Sequence, residues 1–121
     1  MQLDHIAIIC SHVKSIEFYN LLGFIIVKRL TRPQQHDEIV WMNGNGITLE
    51  LFIDETHPQR PTNPEANGLR HLAFVVEDLE KTYDLLREYN PEFIRTDPST
   101  GERLFFVKDP DGLPIEFRMK I

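Results

Sequence analysis

The chain has little of what several protein classes require. Its single cysteine, Cys10, cannot close an internal disulfide, and no repeated Cys pair, Ser-centred nucleophile motif or Gly-rich phosphate loop is present. No run approaches the roughly 20 apolar residues of a membrane span. The opening Met1-Gln2-Leu3-Asp4-His5 places polar and charged residues where a signal peptide needs apolar ones. These absences predict a cytoplasmic protein. No Lys/Arg block stands out, and the net charge is −6 with a pI near 5.3. Nucleic acid and anionic membrane are therefore not the expected partners, and small molecules are. With 121 residues, 41% of them hydrophobic and 26% charged, the chain suffices for one small globular domain spanning 1–121.

What is present is a duplication. His5 and His71 lie 66 residues apart, and so do Glu50 and Glu116. Around the histidines, Leu3-Asp4-His5-Ile6-Ala7 matches Leu69-Arg70-His71-Leu72-Ala73. Around the glutamates, Gly46-Ile47-Thr48-Leu49-Glu50 matches Gly112-Leu113-Pro114-Ile115-Glu116. Few neighbours repeat. The residues that do repeat include two imidazoles and two carboxylates, a donor set suited to a divalent cation.

Each half repeats one order of elements. In the first, the pattern predicts a strand over Leu3–Cys10, a helix over Val13–Leu22 closed by Gly23, and strands over Phe24–Leu30, Glu38–Met42 and Ile47–Ile53. Asn43-Gly44-Asn45-Gly46 reads as a hairpin turn, since Asn and Gly accept positive φ. Pro58, Pro61 and Pro64 mark a linker, about 55–67, between a first module of about 1–54 and a second of about 68–121. The second half then predicts a strand over Leu69–Val76 and a helix capped by Asp78, with Leu79, Tyr83, Leu86 and Tyr89 along one face. Strands over Phe93–Thr96, Leu104–Val107 and Leu113–Arg118 follow, the last two joined by a turn at Asp109–Gly112. Each half is βαβββ.

Side chains alternate along a strand, so His5 shares a side with Ala7 and Ile9, and His71 with Ala73 and Val75. The alanines leave room beside each imidazole. Glu50 and Glu116 interrupt apolar strands, where an ionised carboxylate calls for a partner. His12, His36 and His57 have no counterpart 66 residues away and read as surface residues. Cys10 reads as a buried thiol, and adjacency within His36-Asp37-Glu38 sends alternate side chains to opposite faces. Trp41, Phe105 and Phe106 are candidates for a pocket wall or for core.

These motifs, with Gly68-Leu69-Arg70-His71-Leu72-Ala73-Phe74 and Asp109-Pro110-Asp111-Gly112-Leu113-Pro114-Ile115-Glu116, resemble the vicinal oxygen chelate superfamily over essentially the whole chain. Within it the chain is most similar to short bacterial glyoxalase I-like proteins (lactoylglutathione lyases). The resemblance implies an α+β fold in which two paired βαβββ modules form a half-barrel around one metal. It implies His5, Glu50, His71 and Glu116 as the ligands, often with modules paired across a homodimer. It further implies a lyase or isomerase in which the metal stabilises an enediolate on a small carbonyl or hemithioacetal substrate. One metal-bound glutamate would carry the proton, Glu116 first and Glu50 second. The donor set suits nickel, cobalt, manganese, iron or zinc.

Two positions depart from the glyoxalase I pattern. Ile9 stands where an Arg commonly holds the glutathione carboxylate, and Asp54 stands where an Asn is usual. Both leave room for another thiol adduct or a thiol-free substrate. Arg70, Arg103, Lys108 and Arg118 are candidate replacements for the lost cation. The alternatives from the same superfamily are an epimerase, an extradiol-type dioxygenase, which usually needs only two His and one Glu, and a non-catalytic resistance-type binding protein.

Overall fold

A computed structural model describes all residues, Met1–Ile121, as two compact units, Met1–Gln59 and Arg60–Ile121. The first runs β1 (Ile6–Cys10), α1 (Lys14–Leu21), β2 (Ile25–Arg32), β3 (Asp37–Gly44) and β4 (Ile47–Ile53). The second runs β5 (Leu72–Val75), α2 (Leu79–Leu85), β6 (Arg95–Thr96), β7 (Arg103–Lys108) and β8 (Pro114–Met119). Each is βαβββ, and each forms a four-stranded mixed sheet, in the orders β1-β4-β3-β2 and β5-β8-β7-β6. In both, the first strand pairs in parallel with the last, and the remaining pairings are antiparallel. The chain is thus an α+β protein, and no helix is long and apolar enough to cross a membrane.

Alternation along the strands decides which side is core. In β4, Leu49, Leu51 and Ile53 are buried while Thr48, Glu50 and Phe52 are only partly covered, the period of two that a one-sided sheet demands. Ile8, Cys10, Val40 and Met42 join the buried side, with Phe18, Tyr19 and Phe24 fully enclosed. In the second unit Phe105 stacks on Phe117 at 5.2 Å and meets Tyr83 of α2 edge-on at 5.1 Å. Offset and edge-on contacts of this kind are the favoured aromatic geometries. Phe105 is therefore core.

Local chemistry ends the elements where it should. Gly23 takes φ +93° after α1, and Asp78 Oδ1 accepts from Lys81 N at 3.0 Å to cap α2. The hairpin turn narrows to Asn45 and Gly46, both at positive φ (53° and 76°), as a two-residue loop of the favoured type requires. Three predicted strands are shorter. β1 and β5 begin only after His5 and His71, at Ile6 and Leu72. β6 begins only at Arg95: after Asn90 (φ 54°) and Pro91 the chain bonds to β7 through Glu92 N and the Phe106 carbonyl at 2.8 Å, and Phe93 stands 88% exposed.

Gly44 closes the first unit: a Cβ there would collide with the Gly23 carbonyl and stand 2.9 Å from Phe24 Cα. Gly46, by contrast, has nothing within 4 Å of an added Cβ and pays only for its positive φ. Gly44→Ala should lower stability by about 2 kcal/mol or more through overpacking, and Gly46→Ala by about 1 kcal/mol through left-handed strain. Thermal melts of the two variants check this; equal losses would count against the contact.

Candidate functional site

In both units the parallel pairing of first and last strand brings a distant histidine and glutamate together. Ala7 pairs with Glu50 and Ala73 with Glu116, which puts the carboxylates on the strand face that carries His5 and His71. Both alanines are exposed, so the face beside each imidazole is open. The result is the same contact twice. His5 Nε2 lies 3.9 Å from Glu50 Oε1, and His71 Nε2 lies 3.9 Å from Glu116 Oε1.

The atoms turned away from that contact are held by other groups. Trp41 Nε1 donates to Glu50 Oε2 at 2.7 Å, and Arg118 Nε donates to Glu116 Oε2 at 3.1 Å. Asp4 Oδ2 lies 2.7 Å from His5 Nδ1, accepts its N–H, and raises the pKa of the ring above the ordinary histidine value. That bond leaves Nε2 as the lone-pair nitrogen of the neutral ring, facing Glu50. His71 differs. Its Nδ1 faces Arg70 Nη1 at 3.4 Å, and its ring meets Phe106 edge-on at 5.1 Å. Trp41 and Phe106 occupy matching places, since the ladder sets them against Glu50 and Glu116 respectively.

A carboxylate–imidazole pair fits a metal on distance. Two donors each about 2.1 Å from one ion stand at most about 4.2 Å apart, and 3.9 Å lies inside that limit. Oriented second atoms, as supplied by Asp4, Trp41 and Arg118, are what ligands to a metal need from their surroundings. One pair is too few donors for a protein metal site, and neither unit gathers three or more His, Cys, Asp or Glu side chains about one point.

The candidate cations sort themselves by partner. Arg70 is taken by Glu65 through Nε at 3.0 Å, and Arg103 by Glu80 at 2.5 Å. Arg118 is enclosed by Glu116, Glu102 and Asp97, with contacts of 3.1, 3.0 and 3.0 Å. Lys108 has no carboxylate partner. Neither does Arg95, which the sequence did not single out; its guanidinium lies 6.0 Å from the centre of the Phe106 ring.

The other histidines are structural or exposed. His12 and His36 are exposed, as expected. His57 is not a plain surface residue: it is half-buried, with Nδ1 2.9 Å from the Cys10 carbonyl, because the loop after β4 folds back on the end of β1. Within His36-Asp37-Glu38 the acids are bound elsewhere, Asp37 to Arg32 at 2.6 Å and Glu38 to Arg29 at 2.7 Å.

A fold of repeated βαβββ units, each with an open face carrying one His and one Glu, defines a paired-module class. Residues 2–117 match the Glyoxalase/Bleomycin resistance protein/Dioxygenase superfamily, and the chain belongs to that family. It is 45% identical to the protein YwkD of Bacillus subtilis over 119 residues, 94% of this chain and 93% of that one. It is 28% identical to a probable lactoylglutathione lyase of Synechocystis over 109 residues, covering 85% and 82% of the two chains. Among solved structures, a glyoxalase family protein from Enterococcus faecalis superposes with a TM-score of 0.89 at 37% identity, covering 97% and 96%.

The Arg118 cluster yields a pH prediction. The Ser99 hydroxyl, the Ser99 N–H and Arg118 all donate to Asp97 and hold its carboxyl at about 2. Because the folded value is depressed, the stabilisation is complete above the unfolded value of about 4 and is lost as pH falls from there towards about 2. The melting-temperature gap between wild type and Asp97→Asn should therefore narrow across that window. A gap that stays constant there would contradict the assignment.

Proposed function

We propose that the protein is a divalent-metal-dependent, glyoxalase I-like lyase or isomerase, with His5, Glu50, His71 and Glu116 as metal donors. The observation that carries the reading is the repeated aim of a histidine Nε2 at a glutamate Oε1, with the remaining atoms anchored. The Synechocystis relative, called a probable lactoylglutathione lyase, supports the reaction class. The two His–Glu pairs together supply four donors, the number a closed protein metal site uses. Nickel, cobalt, zinc, manganese and iron all accept such a set. The lone, buried thiol of Cys10 suits the cytoplasm.

When bound, the metal supplies Lewis-acid stabilisation of the charge that builds on vicinal substrate oxygens. The chain's own residues supply the rest. Glu116 takes the proton from the carbon next to the carbonyl and returns it to the neighbouring carbon, and Glu50 is the second choice for that task. A carboxylate that carries a proton between two carbons benefits from a second anchor. Arg118 gives Glu116 such an anchor, itself held by Asp97 and Glu102. Trp41 gives Glu50 an uncharged one. The open space beside Ala7 and Ala73 admits a substrate next to the imidazoles.

Elemental analysis of gently purified protein tests the donor set: a transition metal bound to wild type and lost from His71→Ala and Glu116→Ala is the expected result. Asp4→Asn should weaken metal binding by about tenfold, the low end for loss of a histidine-orienting group, because Asp4 is 94% exposed. A wild type that stays metal-free after addition of nickel, cobalt, manganese and zinc would overturn the reading in favour of a binding protein. Glu116→Gln, which can still ligate, should slow solvent-deuterium incorporation from a hemithioacetal by about a hundredfold or more. Unchanged exchange would move the base to Glu50.

A further inference from the structure

The second unit holds a cleft of about 620 Å³ whose lining includes Arg60, Glu65, Arg70, Arg95, Phe106 and Lys108. Four cationic side chains and two acidic ones, Glu65 and Glu92, face it, a surplus of two positive charges in a chain whose net charge is −6. Two of the cations are occupied within the protein. Arg70 binds Glu65, and Arg60 donates to the carbonyls of Leu69 and Arg70 at 2.8 and 3.1 Å. Arg95 and Lys108 are exposed and pair with no carboxylate.

Their placement relates the cleft to the proposed metal pair. Phe106 and Lys108 are two residues apart on β7 and share one face of the sheet. The ladder pairs Phe106 with Glu116 and Lys108 with Pro114, so that face is the one carrying Glu116. Phe106 spans the gap: its ring touches His71 edge-on at 5.1 Å and carries the Arg95 guanidinium 6.0 Å from its centre. Arg95 sits on β6 opposite Leu104, again on that face. A guanidinium set against an aromatic ring and an ammonium two residues along that ring's strand place two cations suited to an oxyanion in one cleft.

We propose that this cleft is an anion site: the substrate carries a carboxylate, phosphate or phosphonate group that Arg95 and Lys108 hold while its carbonyl end lies at His71 and Glu116. The substrate part of this statement rests on the lyase reading; the anion site does not.

The test is a backbone-amide NMR titration of the 15N-labelled full chain with inorganic phosphate and, separately, acetate, at constant ionic strength so that screening does not mimic binding. The expected result is saturable displacement of the Arg95 and Lys108 amides, with affinity falling by about tenfold in each of Arg95→Gln and Lys108→Gln. Tighter phosphate assigns a phosphate- or phosphonate-bearing substrate, and tighter acetate a carboxylate. Glu50→Ala, which removes a proposed metal donor outside the cleft, should leave the titration unchanged. A wild type that binds the anion but takes up no metal would support the anion site while the lyase reading falls. No saturable displacement, or equal affinity in the Arg95→Gln/Lys108→Gln double variant, would overturn the proposal.

Discussion

The first and last strands of each unit run side by side in the same direction, and this one pairing governs the rest of the architecture. A parallel pair needs a crossover between its strands. Here the crossover is a helix and a hairpin, which carries the chain 45 residues, from His5 to Glu50 and again from His71 to Glu116. The register then does what no local interaction does: it sets Ala7 against Glu50 and Ala73 against Glu116, so the imidazole two residues earlier stands beside the carboxylate. A slip of one residue in either pairing would turn the glutamate into the core and Leu49, Leu51 or Phe117 onto the open face. Burial of those apolar side chains is therefore what holds the polar pair in position.

That dependence explains why so much was legible before any coordinates. His5, Glu50, His71 and Glu116 stood out because duplication keeps both their identity and their spacing. The βαβββ order followed from Gly23, the Asn45-Gly46 turn, the Asp78 cap and the alternation in Ile47–Ile53, all local signals. Strand ends were less legible, because pairing decides them: Phe93 has a strand-former's side chain, yet Pro91 and Asn90 shape the backbone before it. Partners were the least legible. Nothing in the spacing ties Arg118 to Asp97, Glu102 and Glu116 at once, or brings His57 back to the Cys10 carbonyl. Arg95 went unnoticed for the same reason. Only the fold reveals which of several arginines lacks a carboxylate.

The repeats agree at the donors and disagree around them, and the disagreement is chemical. Matching ladder positions carry Trp41 and Phe106, Phe52 and Arg118, Asn43 and Lys108. One carboxylate leans on a neutral indole N–H and the other on a guanidinium. One imidazole is backed by an acid, Asp4, and the other by a base, Arg70. The two His–Glu pairs are thus alike in themselves and unlike in their surroundings.

Unlike surroundings have a consequence for what can bind. On the first unit's face the aromatic at the donor pair, Trp41, carries a lysine, Lys28, 4.8 Å from its ring, and Ile9 is left 58% exposed. Arg29 and Arg32 of that sheet are neutralised by Glu38 and Asp37. On the second, Phe106 of that face lines a cleft that also holds two cations without carboxylate partners, Arg95 and Lys108. A substrate symmetric about its reacting carbon would gain nothing from that difference. A ligand with an anionic end would meet two cations without carboxylate partners, Arg95 and Lys108, in the second unit's cleft, and one, Lys28, on the first unit's face. Divergence around a duplicated His–Glu pair thus changes what each face can hold without altering the pair itself.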